Sequence, residues 1–393
     1  MNPRLWALAL GNFTLGTGSL IVTGILPAIA LSIGTSVALA GQLVTIYGLT
    51  LALGAPLLGM VTGRLAQRRV ILGGLAVVAI ASLIGGFATN FTTLALSRAL
   101  AGLGAALFTP NAAAFAAQMV LAVQRGRAIA VVFVGFSLAS VIGAPLGVCV
   151  SGEFGWRSAF GLVAALALLA MACLAWTLPH GISTPAVAAR SWFRLFRQLV
   201  LMLAVAATML CMAGQYALFT YLAVLLAQQH GIGPIGFSAL LVWFGVAGVI
   251  GNIAAGRAVD RVGAGRVASV GLGVLLAAFL IIAYAGTGLL PIMIGIGLWG
   301  GAAFAVSSAQ QARLVNLNPR LASATLALNT SALYGGQAGG AVLGGIAISL
   351  TGLHNVHWVG VILLAAALFV SLWESTLSPR HHVETTRFPH HRG

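Results

Sequence analysis

The chain has 393 residues, 60% of them hydrophobic and 6% charged, with a mean hydropathy of +1.06 and a formal net charge of +15. Ordinary soluble domains carry roughly 25% charged residues, so the composition excludes a soluble globular protein. It indicates an all-α polytopic membrane protein, because apolar runs near the ~20 residues that cross a bilayer recur along the whole length.

In chain order, Arg4 opens an apolar run from Leu5 to Ile33, and Ala28-Ile29-Ala30 within it imitates a signal-peptide cleavage site. The run exceeds the ~7–15 residues of a signal h-region, so it reads as a retained first helix. Breaks at Gly, Pro, Asn and Arg predict spans at 5–31, 38–62, 70–90, 92–118, 128–150 and 158–178. A more polar stretch, 179–197, holds two prolines and three arginines and reads as a cytoplasmic linker. Six more spans follow at 198–227, 236–256, 267–287, 289–312, 322–350 and 355–375. The expected organisation is a six-helix bundle 1–178, the linker 179–197, a second bundle 198–375 and a tail 376–393. The tail's His381, His382, His390 and His391 read as solvated rather than metal-binding.

All nineteen basic residues are arginines. With both termini cytoplasmic, only Arg98 and Arg157 fall away from cytoplasmic ends, loops or tails. That is the positive-inside pattern, and it replaces nucleic-acid binding as the account of the charge. Trp6, Trp156, Trp176, Trp192, Trp358 and Trp373 occupy aromatic-belt positions, while Trp243 and Trp299 lie within spans, where a cavity lining and a helix contact are both open. Cys149, Cys173 and Cys211 sit in apolar segments without ligand spacing and read as buried, unreactive thiols. No metal or cofactor motif is present. The chain has no Lys for a Walker A loop, which excludes ATP-driven pumping by this chain, and no GxSxG, HExxH or CxxC.

Within the fifth span, Gly135, Ala139, Gly143 and Gly147 fall four residues apart and make a side-chain-poor stripe, with Pro145 beside it removing a backbone hydrogen bond. In lipid such a stripe admits close approach of another helix. It recurs 193 residues on, where Gly336 and Gly340 answer Gly143 and Gly147. At the same offset Gly63-Arg64 meets Gly256-Arg257, Arg68 meets Arg261, Gly102 and Gly104 meet Gly295 and Gly297, and Arg127 meets Arg320. One register over four helix pairs predicts two pseudo-symmetric bundles with substrate bound between them near the midplane.

Gly256-Arg-Ala-Val-Asp260-Arg261-Val-Gly263-Ala-Gly-Arg266, expected as the loop between spans 8 and 9, resembles the GxxxDRxGxxR loop of the major facilitator superfamily. The resemblance covers residues 4–375 and is nearest the twelve-helix drug:proton antiporter branch, in particular its purine, nucleoside and sugar efflux subgroup. It implies a major facilitator fold and a cytoplasmic charge cluster around Asp260 that latches helices in one state. The first-half copy, Gly63 to Arg69 with Arg64 and Arg68, carries Gln67 where the family has Asp. Arg98 with Gly102 and Gly104 resembles the family's RxxxGxG element, linked to proton transfer or to structuring the cavity. Snorkelling of Arg98 to the outer interface is the alternative. The stripe resembles the antiporter motif, which marks exporters, and Gly155-Trp156-Arg157 to Phe160 follows it as in that branch. The resemblance implies that the stripe lies at the seam between the two bundles. Where many relatives carry Glu, this chain has Ser19.

The candidate substrate lining is polar and aromatic: Asn12, Thr17, Ser19 and Thr23 on span 1, Asn111 on span 4, and Gln215, Tyr216 and Phe219 on span 7. Gln310 and Gln311 on span 10 and Asn329, Tyr334 and Gln337 on span 11 complete it. Amides and hydroxyls with aromatic faces suit a planar heterocycle or a polyol, and an interhelical hydrogen bond is the competing role for each. The expected function is secondary-active export, by a monomer in a bacterial inner membrane, of a small neutral or cationic organic molecule, linked to protons. The acids Glu153, Asp260, Glu374 and Glu384 all fall away from span centres, which keeps a uniporter or importer open, as it does a sensor on the same fold.

Overall fold

The computed structural model describes residues 3–62, 65–121, 124–179, 195–286, 288–318 and 321–377. Twelve helices long and apolar enough to cross a membrane fill this range, and no strand occurs among the described residues. In the first half they are α1 (Pro3–Ile33), α2 (Val37–Thr62), α3 (Gln67–Gly86), α4 (Phe91–Gln118), α5 and α6 (Trp156–Thr177). Helix α5 runs Arg125–Leu138, widens into a π-helical turn at Ala139–Gly143 and resumes over Ala144–Phe154. The second half has α7 (Leu199–Phe219, resuming over Leu222–His230), α8 (Pro234–Val262), α9 (Ala264–Ala283), α10 (Leu289–Leu317), α11 (Ala322–Thr351) and α12 (Val356–Leu377). In lipid a helix satisfies its backbone groups internally, so a long apolar run has only this form available.

The helix contacts repeat under a shift of six. Helix α1 packs on α5 and α6, α2 on α4, and α3 on α4 and α6; equally, α7 packs on α11 and α12, α8 on α10, and α9 on α10 and α12. Between the halves, α2 lies along α11 and α5 along α8, a pair of contacts that the same shift exchanges. The internal repeat in the sequence is therefore a repeat in packing.

The glycine stripes take a different place from the expected one. A Cβ at Gly135 would strike the Ala9 carbonyl, one at Gly143 Thr17, and one at Gly147 Ile21, all on α1. Gly336 and Gly340 press in the same way on the Met209 and Ala213 carbonyls of α7. Both stripes hold a half together rather than lining the seam. Gly48 and Gly245 line the seam: a Cβ at Gly48 would stand 2.9 Å from Tyr334 O, and one at Gly245 2.9 Å from Val141 Cα. Pro145 acts as its chemistry dictates. The π turn ahead of it makes room for a ring that would otherwise crowd the carbonyl four residues back.

Hydrogen bonds across the seam include Thr45 Oγ1 to Ala338 O (3.4 Å) and Ser238 Oγ to Pro145 O (3.2 Å). Both lie toward the end of the bundle opposite the start of α1, as do the approaches of Phe237 to Gly24 and of Pro234 to Gly152.

The charge motif is also placed differently. Helix α8 runs through Arg257, Asp260 and Arg261 to Val262, and the link to α9 is Gly263 alone, at φ 89°, a conformation that L side chains avoid. Gly256, Asp260, Arg261, Gly263 and Arg266 are exposed, and among the described residues Asp260 takes part in no ion pair or hydrogen bond. The expected latch is not formed at this copy. In the first copy Arg64 lies outside the described residues, while Gln67 is buried and donates to Asn111 O (3.0 Å) and Arg68 donates to Ala175 O. The neutral amide thus ties α3 to α4. Most of the linker and nearly all of the tail lie outside the described residues.

Candidate functional site

At the middle of the seam Tyr47 of α2 meets Tyr334 of α11 edge to face, ring centroids 6.5 Å apart. Gly48 makes this possible, since the missing Cβ lets the Tyr334 backbone approach α2. Tyr47 stands beside Ser19 of α1 and within electrostatic range of Arg98, Tyr216 and Tyr334. Gln337 Nε2, one turn beyond Tyr334, is buried without a hydrogen-bond partner. The hydroxyls of Tyr47, Tyr216, Tyr334 and Ser19, from α2, α7, α11 and α1, therefore lie near one another where the halves meet, with the Gln337 amide one turn along α11. Hydroxyls and an amide can donate and accept, and the rings offer apolar faces.

A second group lies inside the C-terminal half. Thr208, Cys211, Ser307, Gln310 and Asn329 line a small cavity between α7, α10 and α11. Gln310 donates to Ala204 O (3.2 Å) and Thr208 Oγ1 (3.3 Å), whereas Asn329 Oδ1 is buried without a partner. Nearby, Trp299 Nε1 donates to Gln215 Oε1 (2.9 Å), and Gln215 in turn donates to Cys211 Sγ (3.3 Å). Trp299 is 1% exposed and packed edge-on by Phe219, Phe244 and Phe279. This settles Trp299 as a helix contact and fixes Gln215 and Phe219 as a rigid wall behind Tyr216. Trp299→Phe leaves a buried amide oxygen without its donor, a loss of about 1–3 kcal/mol. A lowered thermal midpoint checks it, and a midpoint equal to wild type overturns it.

Other expected lining residues are used in packing. Asn12 Nδ2 donates to Val132 O (3.1 Å), tying α1 to α5. Thr23 donates to Leu20 O within its own helix, and Thr17 lies under Gly143. Asn111 donates to Leu107 O and sits with Gln67 at the α3 end of α4, away from the seam tyrosines. Gln311 reaches only Ser307 Oγ, at 3.5 Å. Of the thiols, Cys211 is buried but Cys149 and Cys173 are half-buried, which corrects that expectation.

Arg98 does not snorkel. It is 2% exposed, donates to Gly18 O (3.2 Å) and lies over the Phe160 ring (4.8 Å to the centroid). The Gly-Trp-Arg segment has a structural use too: Arg157 donates to Ala88 O (2.9 Å) and stacks on Trp156.

Sequence reasoning passed over Tyr47, Thr208 and the ion pair of Arg313 with Glu374. Tyr47 had a usable signal, because the chain has only five tyrosines and three fall mid-span. Arg313 and Glu374 lie near the ends of α10 and α12 as expected, and there they are buried as an ion pair between the two helices.

The sequence profile of the Major Facilitator Superfamily matches residues 8–311 and 205–391. Inner membrane transport protein YdhP of Escherichia coli (strain K12) is 28% identical over 380 residues, covering 96% of this chain and 97% of that protein. A chloramphenicol resistance protein of Streptomyces lividans is 30% identical over 376 residues, covering 93% and 95%. Among solved structures, a bacterial homologue of the human lysosomal transporter Spinster, inward-facing and unoccupied, superposes with a TM-score of 0.74 at 18% identity, covering 95% and 96%.

Proposed function

The chain belongs to the Major Facilitator Superfamily, and on that premise we propose that this membrane transporter exports a small neutral or cationic organic molecule by alternating access. The observation that carries the reading is the gathering of Tyr47, Tyr216, Tyr334 and Ser19 at the seam, with Gln337 one turn along α11. Uncharged donors and acceptors among aromatic rings suit a purine base, a nucleoside or a sugar. A drug of the chloramphenicol type comes second, supported by the name of the Streptomyces relative. The moving bodies are residues 1–178 and 198–375, joined by the 179–197 linker. Seam contacts on the side opposite the start of α1 support an inward-facing state, given cytoplasmic termini. The name of the Escherichia coli relative supports an inner membrane, and a monomer suffices because both halves come from one chain.

Export from everted vesicles or resistant cells tests the proposal. Gradient-linked movement of a base, nucleoside, sugar or chloramphenicol is expected, and none with any of them overturns it. Tyr47→Ala and Tyr334→Ala are each expected to lower flux about tenfold or more, equivalent to roughly 1.4 kcal/mol, while Tyr→Phe at either site retains the ring and more of the flux. Equal flux in the Ala variants removes the seam pair from the substrate path.

A second reading drops proton coupling. Glu153 and Asp260 are exposed, Glu374 is tied to Arg313, and Glu384 lies outside the described residues. Counterflow that persists after an uncoupler collapses the proton gradient favours this uniport reading.

A further inference from the structure

Behind Tyr47, on the side away from the seam, a small cavity lies inside the N-terminal half between α1, α2, α3, α4 and α6. Its walls include Gly18, Tyr47, Val78, Ser82, Arg98 and Val163, with room for about one water-sized occupant. Two of its polar atoms, Arg98 Nε and Ser82 Oγ, are buried without hydrogen-bond partners, on side chains 2% and 0% exposed. Arg98 Nη1 has only the Gly18 carbonyl, and Phe160 covers the guanidinium face.

The charge of Arg98 is likewise unmatched. Glu153 and Asp260 are exposed, and Glu374 is paired with Arg313 in the other half, so among the described residues no carboxylate faces it. An isolated buried cation is costly and is retained where something compensates it. A guanidinium N–H and a serine hydroxyl, bordered by a tyrosine, make a donor set with a net positive charge, which selects an acceptor that is itself anionic. The valine walls and the small size exclude organic anions and suit a weakly hydrated, monoatomic one.

We infer that the N-terminal half binds one halide ion, chloride in the cell, between Arg98 and Ser82 behind Tyr47. The ion neutralises Arg98 in place and sets the back of the seam tyrosine. This goes beyond the proposed export of an organic substrate, because the cavity is too small for such a substrate and is lined only by helices of the N-terminal half.

Equilibrium binding of radiolabelled chloride to the purified full-length protein tests it, with gluconate holding ionic strength constant. Wild type is expected to bind one saturable chloride per chain, displaced by bromide, and to melt higher in chloride than in gluconate. Arg98→Gln is expected to lose the site. Ser82→Ala, which leaves the charge and fold in place, is expected to weaken it about tenfold and to shrink the chloride-dependent rise in melting temperature. Absence of saturable binding by wild type overturns the inference and leaves water in the cavity. Unchanged binding in both variants overturns it as well, since the ion then sits elsewhere. No transport is measured, so this outcome is independent of the export assay.

Discussion

Gly135→Leu and Gly340→Leu are expected to yield little folded protein, and Gly135→Ala and Gly340→Ala a protein that melts several degrees lower. At both sites a Cβ would meet main-chain carbonyl groups of the neighbouring helix, Ala9 O on α1 or Ala213 O on α7. A carbonyl inside a helix cannot rotate aside, so the helices must separate, and overpacking of this kind costs about 1–3 kcal/mol before helix displacement is counted. Gly147 provides the control. Its nearest neighbour is the terminal methyl of Ile21, a flexible side-chain end, so Gly147→Ala is expected to be milder. Both stripes join helices of one half, and the damage therefore appears as lost folding rather than as a folded protein unable to move. Size-exclusion recovery and thermal midpoints in detergent separate the two. A monodisperse Gly135→Leu protein that melts with wild type and fails only in transport would return the stripe to the seam.

That correction marks what the sequence could carry. A run of small residues every four positions dictates that a backbone comes close, but the partner is fixed only by three-dimensional packing, which no periodicity in one helix encodes. The twelve spans were legible because lipid leaves an apolar chain no alternative to a helix. Their ends were less so. Span 8 was expected to stop at residue 256 and continues to Val262, because Arg257, Asp260 and Arg261 are compatible with a helix that projects past the apolar zone, and only Gly263 ends it. The candidate lining was legible by residue type, not by destination. Ser19, Tyr216 and Tyr334 gather around Tyr47 at the seam, with Gln337 one turn further along α11, whereas Asn12 and Asn111 are used locally, and an amide in a helix reads the same in both situations. Tyr47 matters through its cross-seam partner, which local reasoning about α2 does not supply.

Arg313 and Glu374 are the clearest case of a pair invisible in sequence, and breaking it is expected to be among the most destabilising single changes in the chain. Helices α10 and α12 bring the two together in a buried pair. Arg313 also donates to Ser371 Oγ and Ser375 Oγ, each at 2.9 Å, and to Ser371 O at 3.3 Å. Arg313→Met leaves a buried carboxylate, and Glu374→Leu a buried guanidinium, each with its opposite charge gone; such losses cost about 3–5 kcal/mol. The pair as a whole contributes much less, because its mutual attraction is offset by the desolvation of both charges. The double variant Arg313→Met with Glu374→Leu is therefore expected to regain most of the stability that either single change loses. Its serines keep partners without Arg313, since Ser375 Oγ also donates to Ser371 O (2.8 Å) and Ser371 Oγ lies 3.0 Å from Ser269 Oγ. Thermal midpoints of the four proteins close a double-mutant cycle. A large favourable coupling, with the double variant close to wild type, is the expected result. A double variant as unstable as the two single losses combined would show that the groups act separately, each through its own neighbours, and that the ion pair does not join α10 to α12.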